Sequence, residues 1–160
     1  MIIVDMGEIA VSDEPGGVIA TYGLGSCVAV VIHHPPSKSG GMVHCVLWDS
    51  RCNLDKAKQM PGFFADTGIP ALLRRLAPLA GEPPVEEYMV AMVGGADVPD
   101  PDDTFMIGYR NILAVRQALE RCGLAVAASD VGGAISRAVR LAVGSGEVVV
   151  SSPGMEEWTL

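Results

Sequence analysis

Positive charge is scarce in this chain. Eleven Lys and Arg stand against nineteen Asp and Glu, for a formal net charge of −8 and an isoelectric point near 4.7. Binding to phosphates needs a basic face, so nucleic acid is not expected as the main partner; an acidic surface suits neutral or basic protein surfaces instead. Long apolar runs are missing too. Hydrophobic residues make up 49% of the chain, yet no run approaches the ~20 that cross a bilayer, and membrane insertion is not expected. The opening MIIVDMGEIAVSDE holds neither a basic n-region nor a small-residue cleavage site, which predicts a cytoplasmic protein. Cys27, Cys45, Cys52 and Cys122 form no C-x-x-C pair, and no H-x-x-x-H clamp accompanies them. Reduced thiols are therefore expected rather than two disulfides, and no zinc site is expected from Cys27, His44, Cys45 and Cys52. Gly23-x-Gly25 lacks the third glycine of a dinucleotide fingerprint and the Gly-Lys-Ser/Thr of a P-loop. No cofactor is expected.

What is present reads as one domain over residues 1–160, long enough to bury about two-thirds of its unfolded surface. Short β-type runs occupy residues 1–6, 8–11 and 18–21, the last entered through the turn signal at residues 14–17. Residues 28–32 (VAVVI) form a buried strand, and residues 33–41 (HHPPSKSGG) a loop with His33 and His34 exposed. Residues 42–48 form a strand whose alternation puts Met42, His44, Val46 and Trp48 on one face and Val43, Cys45 and Leu47 on the other. Residues 49–64 read as a polar, irregular loop. A helix capped by Asp66 or Thr67 carries Ile69, Leu72, Leu73 and Leu76 as its stripe and is stopped or kinked at Pro78. A strand follows over 86–93, then an acidic, proline-rich loop over 96–104. A second helix spans 111–122, with Ile112, Val115, Leu119 and Cys122 inward and Gly123 as its stop. Strands over 124–128, 138–143 and 147–151 close the chain. The order is not strict β–α alternation, so the expected class is α+β, a mixed sheet core covered by two helices.

Within this frame one stretch can carry chemistry. Cys27 follows a glycine-bearing loop (Gly23, Gly25, Ser26), and His44 comes seventeen residues later on the next strand. A thiol and an imidazole on adjacent elements make a nucleophile with its base. Glycines let backbone N–H groups turn toward a substrate oxygen, so Gly23, Gly25 and Ser26 suit an oxyanion loop. Thr21, one strand end away, can orient the imidazole as a third member. The implied chemistry is acyl transfer or amide hydrolysis through a thioester. The bland readings stand beside it: Cys27 as a small buried hydrophobe, His44 as a hydrogen-bonded strand histidine, Tyr22 and Ser26 as ordinary loop residues.

The same residues carry a resemblance. TYGLGSCVAV over 21–30, followed by GGMVH over 40–44, is similar to the signature of CheD, the chemoreceptor glutamine deamidase family of bacterial and archaeal chemotaxis. The likeness continues through PGFFADT at 61–67, VGGA at 93–96, IGYRN at 107–111, DVGG at 130–133, Ser136-Arg137 and GSG at 144–146. It implies hydrolysis of glutamine side-chain amides on the cytoplasmic helices of methyl-accepting chemotaxis receptors. Some relatives also hydrolyse receptor methyl esters. It implies a β-sandwich-like core with flanking helices, similar to the catalytic domain of the cytotoxic necrotising factor. Cys27 would be the nucleophile, His44 the base and Thr21 its orienting partner, with Gly23, Gly25 and Ser26 as the oxyanion and substrate loop. The resemblance also implies a partner, the CheC phosphatase, with the contact placed near Phe105. A non-catalytic binding module for CheC is the alternative. Cys45 and the VPDPDD loop depart from the family pattern.

Overall fold

In the computed structural model, residues 1–97 and 105–160 are described; the acidic segment over 98–104 lies outside them. The chain begins with strands β1 (Ile2–Ile3), β2 (Ile9–Ser12), β3 (Val18–Leu24), β4 (Val28–His34) and β5 (Ser39–Cys45). A short helix α1 (Leu54–Gln59), the long helix α2 (Ala65–Ala80), strand β6 (Met89–Gly94) and helix α3 (Ile107–Arg121) follow. Strands β7 (Val126–Val131), β8 (Arg137–Ala142), β9 (Val148–Ser151) and β10 (Trp158–Thr159) complete the order.

The strands form two five-stranded sheets, ordered β1-β3-β8-β9-β10 and β2-β5-β4-β6-β7. Both are mixed: β1–β3 and β6–β7 run parallel and the other pairs antiparallel. One apolar core lies between the sheets, where Ile19, Leu24, Leu141 and Val150 meet Ala29, Val31, Met42 and Val93. A second core fills the far side of the β4 sheet, where Ile69, Leu72 and Leu76 of α2 and Val115 and Leu119 of α3 pack on Val30, Ile32, Val43 and Met92. The result is an α+β protein of three layers: sheet, sheet, helices. Strand β4 is central and buried throughout, which is why VAVVI reads as a continuous apolar run rather than an alternating one.

Several expectations need correction. His33 and His34 are not exposed loop residues; they are the last two residues of β4 and are buried. Pairing with β5 continues to His34–Ser39, which shrinks the loop to residues 35–38. The ring nitrogens find partners that no local pattern announces: His33 Nε2 donates to Val143 O at 2.8 Å, and His34 bonds Ser37 Oγ at 2.6 Å and Glu87 Oε1 at 2.9 Å. The segment 49–64 is not irregular. It holds α1 between two 3₁₀ turns, because Asp49 and Asn53 cap their own downstream amides, those of Arg51 and Lys56. Helix α2 starts before Asp66 and Thr67, and Thr67 Oγ1 turns back to donate to Pro61 O at 2.6 Å. Pro78 does not stop it; the helix ends two residues later at Ala80 and is capped by left-handed Gly81.

Helix α3 begins four residues before the expected start at 111. Its free N-terminal amides are capped from outside, with Gly108 N and Tyr109 N donating to the Asp97 carboxylate at 2.9 and 3.0 Å. Near the chain's middle and end, strands shift by a few residues. Strand β6 starts at Met89, after a 3₁₀ turn at Val85–Glu87, and β7 runs on to Val131.

Candidate active site

The site grows from the ends of β3, β4 and β5. Strand β3 pairs with β8 through Thr21↔Val139, then loses register before Leu24↔Arg137. The irregularity falls at Tyr22 and Gly23, where Gly23 takes φ +68, a conformation that glycine adopts without strain. Gly25 N then bonds Gly23 O at 3.0 Å, closing a tight turn just ahead of Cys27. Three successive carbonyls of this loop are held. Gly25 O accepts from Ala96 N and Cys27 O from Gly95 N, each at 2.8 Å. Ser26 O accepts from Asn111 Nδ2 at 2.8 Å. A side chain at Gly94 would collide with Cys27 O, so only glycine lets β6 approach this closely.

His44 comes from β5, directly opposite Ala29 of β4. The pairing ends at Val28↔Cys45, and Val46 N turns to Phe63 O at 2.9 Å. Cys27, two residues before Ala29 and in the same inter-sheet core, lies toward the face that carries His44. Cys27, Ala29, Met42 and Val46 all belong to the inter-sheet core, whereas Cys45 belongs to the helix-side core. Strand β5 spans Ser39–Cys45 rather than 42–48, so the expected alternation holds for Met42, His44 and Cys45, with Cys45 facing away from its neighbour, while Trp48 lies beyond the strand against Arg110 of α3.

Thr21 and His44 are both buried, and their hydrogen bonds determine the histidine's protonation. Thr21 Oγ1 donates to Val4 O at 2.5 Å and lies 2.7 Å from His44 Nδ1. A hydroxyl has one proton, and a carbonyl can only accept it. The Thr21 oxygen must then accept from His44, which places the ring proton on Nδ1 and leaves a lone pair on Nε2. That Nε2 is buried with no hydrogen-bond partner among the described residues.

Electrostatics keep the resting groups neutral. Burial pushes the Cys27 thiol above its ordinary 9.0, against a smaller pull from its own backbone N–H. Burial likewise pushes His44 below 6.5, with Asp5 opposing weakly. Near pH 7 the pair is a thiol beside a neutral imidazole. Cys45, fully enclosed, is driven up to about 12 and is chemically silent.

Of the expected site residues, Thr21 and His44 are hydrogen-bonded across the two sheets, Cys27 lies in the inter-sheet core without a hydrogen bond to His44 Nε2 among the described residues, and Gly23, Gly25 and Ser26 form the loop in front. Added Cβ atoms at Gly23 and Gly25 would meet nothing within 4 Å, so this loop faces open space. A cavity of about 450 Å³ lies on one side, lined by Gly25, Ser26, Ala96, Ile107 and Ile135. A second of about 460 Å³, lined by Tyr22, Gly23, Arg137 and Pro153, lies on the other; Ser136 borders both. Phe105 is exposed and precedes α3, away from the triad in sequence. Arg137 is buried against Asp130 at 3.0 Å, whose second oxygen takes the Trp158 indole N–H at 2.5 Å; this joins an edge of each sheet. Sequence reasoning missed the part played by Asn111. Its signal was present, since Asn111 stands four residues before Val115 as a polar residue on an apolar stripe.

The chain also matches known proteins. A model of the family described as "CheD chemotactic sensory transduction" matches residues 46–152. The chain is 45% identical over 159 residues to a probable chemoreceptor glutamine deamidase CheD of Syntrophotalea carbinolica, covering 99% of this chain and 98% of that protein. It is 43% identical over 152 residues to a probable chemoreceptor glutamine deamidase CheD 2 of Anaeromyxobacter dehalogenans, covering 95% and 94%. It is 37% identical over 152 residues to the chemoreceptor glutamine deamidase CheD of Thermotoga maritima, covering 95% and 92%. The matched family span starts just after His44, while the full-length relatives extend the likeness across the Cys27 loop. By these matches the chain belongs to the CheD family.

Proposed function

We propose that this chain is a protein-glutamine deamidase that hydrolyses side-chain amides on the cytoplasmic helices of methyl-accepting chemotaxis receptors. The observation that carries the reading is the unpartnered, buried Nε2 of His44 on the same sheet face as Cys27. A buried lone pair without a donor is costly, and a role as a base explains its retention. The names of the relatives supply the substrate class.

The steps follow from the protonation just described. As Cys27 Sγ attacks the glutamine carbonyl carbon, His44 Nε2 takes the thiol proton. Thr21 steadies the resulting imidazolium through Nδ1–H. In this loop the backbone N–H groups of Gly23 and Ser26 serve the tetrahedral oxyanion, while Gly25, whose N–H is held by Gly23 O, lines the substrate side. His44 then gives its proton to the leaving nitrogen, the C–N bond breaks, and ammonia departs from a thioester. Water, deprotonated by His44, attacks the thioester; its C–S bond breaks, glutamate forms, and the proton returns to sulfur. A receptor methyl ester would follow the same course with methanol as the leaving group.

The whole of residues 1–160 acts as one domain in this reading, in the cytoplasm, with the stacked sheets arranged like the catalytic domain of the cytotoxic necrotising factor. The exposed Phe105 ring supports a second function, docking of the CheC phosphatase at the start of α3. The test is ammonia release and mass spectrometry on a folded receptor cytoplasmic fragment. A one-dalton gain at glutamines with the wild type, lost with Cys27→Ala, supports the deamidase. No gain under reducing conditions refutes it and leaves the CheC-binding module.

A further inference from the structure

Asn111 sits on the second turn of α3 and is fully buried. Its amide group sends one hydrogen bond to Ser26 O at 2.8 Å and another to Val46 O at 2.9 Å. Ser26 immediately precedes Cys27, and Val46 lies two residues after His44. Both acceptors are carbonyls, so the amide orientation is forced: the nitrogen faces them and Oδ1 faces away. That Oδ1 is buried with no partner among the described residues. An apolar residue would avoid the unmet acceptor, so the two donors must account for the asparagine.

The setting supports the same conclusion. Asp97 caps α3 through Gly108 N and Tyr109 N. The preceding residues Gly95 and Ala96 hold Cys27 O and Gly25 O. A side chain at Gly108 would strike the carbonyls of Gly95 and Ala96, so the helix end is seated directly on the segment that grips the nucleophile loop. Asn111 is the one side chain in this array that bonds both the loop bearing Cys27 and the chain leaving His44.

We propose that Asn111 is a positioning residue that sets the distance and aim between Cys27 and His44 by clamping their two backbones together. The proposal rests on the Cys27–His44 reading above. It touches no substrate atom itself. Displacing paired reacting groups by about 1 Å can lower a rate by about 100-fold. Asn111→Ala should therefore lower kcat about 10- to 100-fold while KM stays within about twofold.

The test also needs a readout independent of the receptor. The rate of iodoacetamide alkylation of Cys27 is measured against pH on the full chain, followed at the Cys27 peptide because Cys52 is exposed. His44→Ala sets the profile of the thiol without its base. Asn111→Ala is expected to shift from the wild-type profile toward that of His44→Ala. Asn111→Ser, which keeps a hydroxyl donor, is expected to fall between and serves if the alanine variant does not fold. Leu119→Ala, two turns along α3 in the helix-side core, is the stability control and should lower Tm without moving the profile. If the Asn111 variants lose stability as Leu119→Ala does but keep the wild-type kcat and profile, Asn111 is only a packing residue and the proposal is overturned. If His44→Ala itself leaves the profile unchanged, the Cys27–His44 pairing fails instead.

Discussion

The β4–β5 hairpin is built alike at its two ends and finished differently. At the turn end, His33 and His34 are buried, with His33 bonded to the Val143 carbonyl just past β8 and His34 bonded on both nitrogens by Ser37 and Glu87. At the open end, His44 is equally buried, bonded on Nδ1 to Thr21 and on Nε2 to none of the described residues. Buried polar atoms are nearly always satisfied, so an exception calls for a cause. Three histidines of similar burial thus differ in their hydrogen bonds, and the proposed function assigns the chemistry to the one whose Nε2 is unmatched among the described residues. The largest test of this contrast substitutes one from each end. His44→Ala is expected to lower deamidation about 10²- to 10⁴-fold, the usual contribution of a general base. His34→Ala should cost about 1–3 kcal/mol of stability by removing a buried ring and its two hydrogen bonds and leave the turnover of the folded protein within about twofold. Ammonia release paired with urea melts would measure both, and comparable losses of turnover would erase the distinction.

The same contrast explains what could be read in advance. Strand alternation placed Met42 and His44 on one face and Cys45 on the other, and the structure agrees, because a period of two is a local property of the backbone. VAVVI was legible for a different reason, since a strand covered on both faces is apolar throughout. His33 and His34 were misread because prolines at 35 and 36 suggested a loop, whereas strand pairing with β5 outlasts the local signal. The start of α3 was misplaced because its cap, Asp97, lies ten residues upstream and outside any local capping pattern. Asn111 was quoted as part of a motif without a role, since its two acceptors, Ser26 O and Val46 O, come together only in three dimensions. Periodic features were therefore legible, while long-range hydrogen bonds were not.

A smaller effect sharpens the open end. Thr21→Val keeps the shape of the side chain and removes the oxygen that fixes the His44 proton on Nδ1. The imidazole can then turn or change tautomer, and the lone pair no longer points steadily from Nε2. Deamidation should drop about 10- to 100-fold, short of the ~10⁴ seen when a triad carboxylate is replaced, because threonine carries no charge to stabilise the imidazolium. The loss should appear in kcat. An unchanged kcat with Thr21→Val would mean that packing alone orients the ring.

The smallest expected effect concerns acid stability, where the two ends should behave alike. Burial holds both His33 and His44 below 6.5, so the folded protein keeps them neutral where the unfolded chain begins to protonate. Their stabilising contribution is complete above about pH 6.5 and is lost as pH falls toward their lowered folded values, with a limit of ~1.4 kcal/mol per pH unit for each group. Arg51 and Arg140 hold the surface carboxylates of Asp49 and Glu157 below their ordinary 3.8 and 4.5, so these two act only at lower pH. Urea unfolding between pH 6.5 and 5 should show a falling stability, and His33→Gln and His44→Gln should each flatten the slope by up to one proton. The slope, rather than the absolute stability, is the quantity to compare, since each substitution also removes packing. If only His33→Gln flattened it, His44 would already be charged in the folded protein near neutrality, and the neutral-pair chemistry would give way to a thiolate–imidazolium resting state.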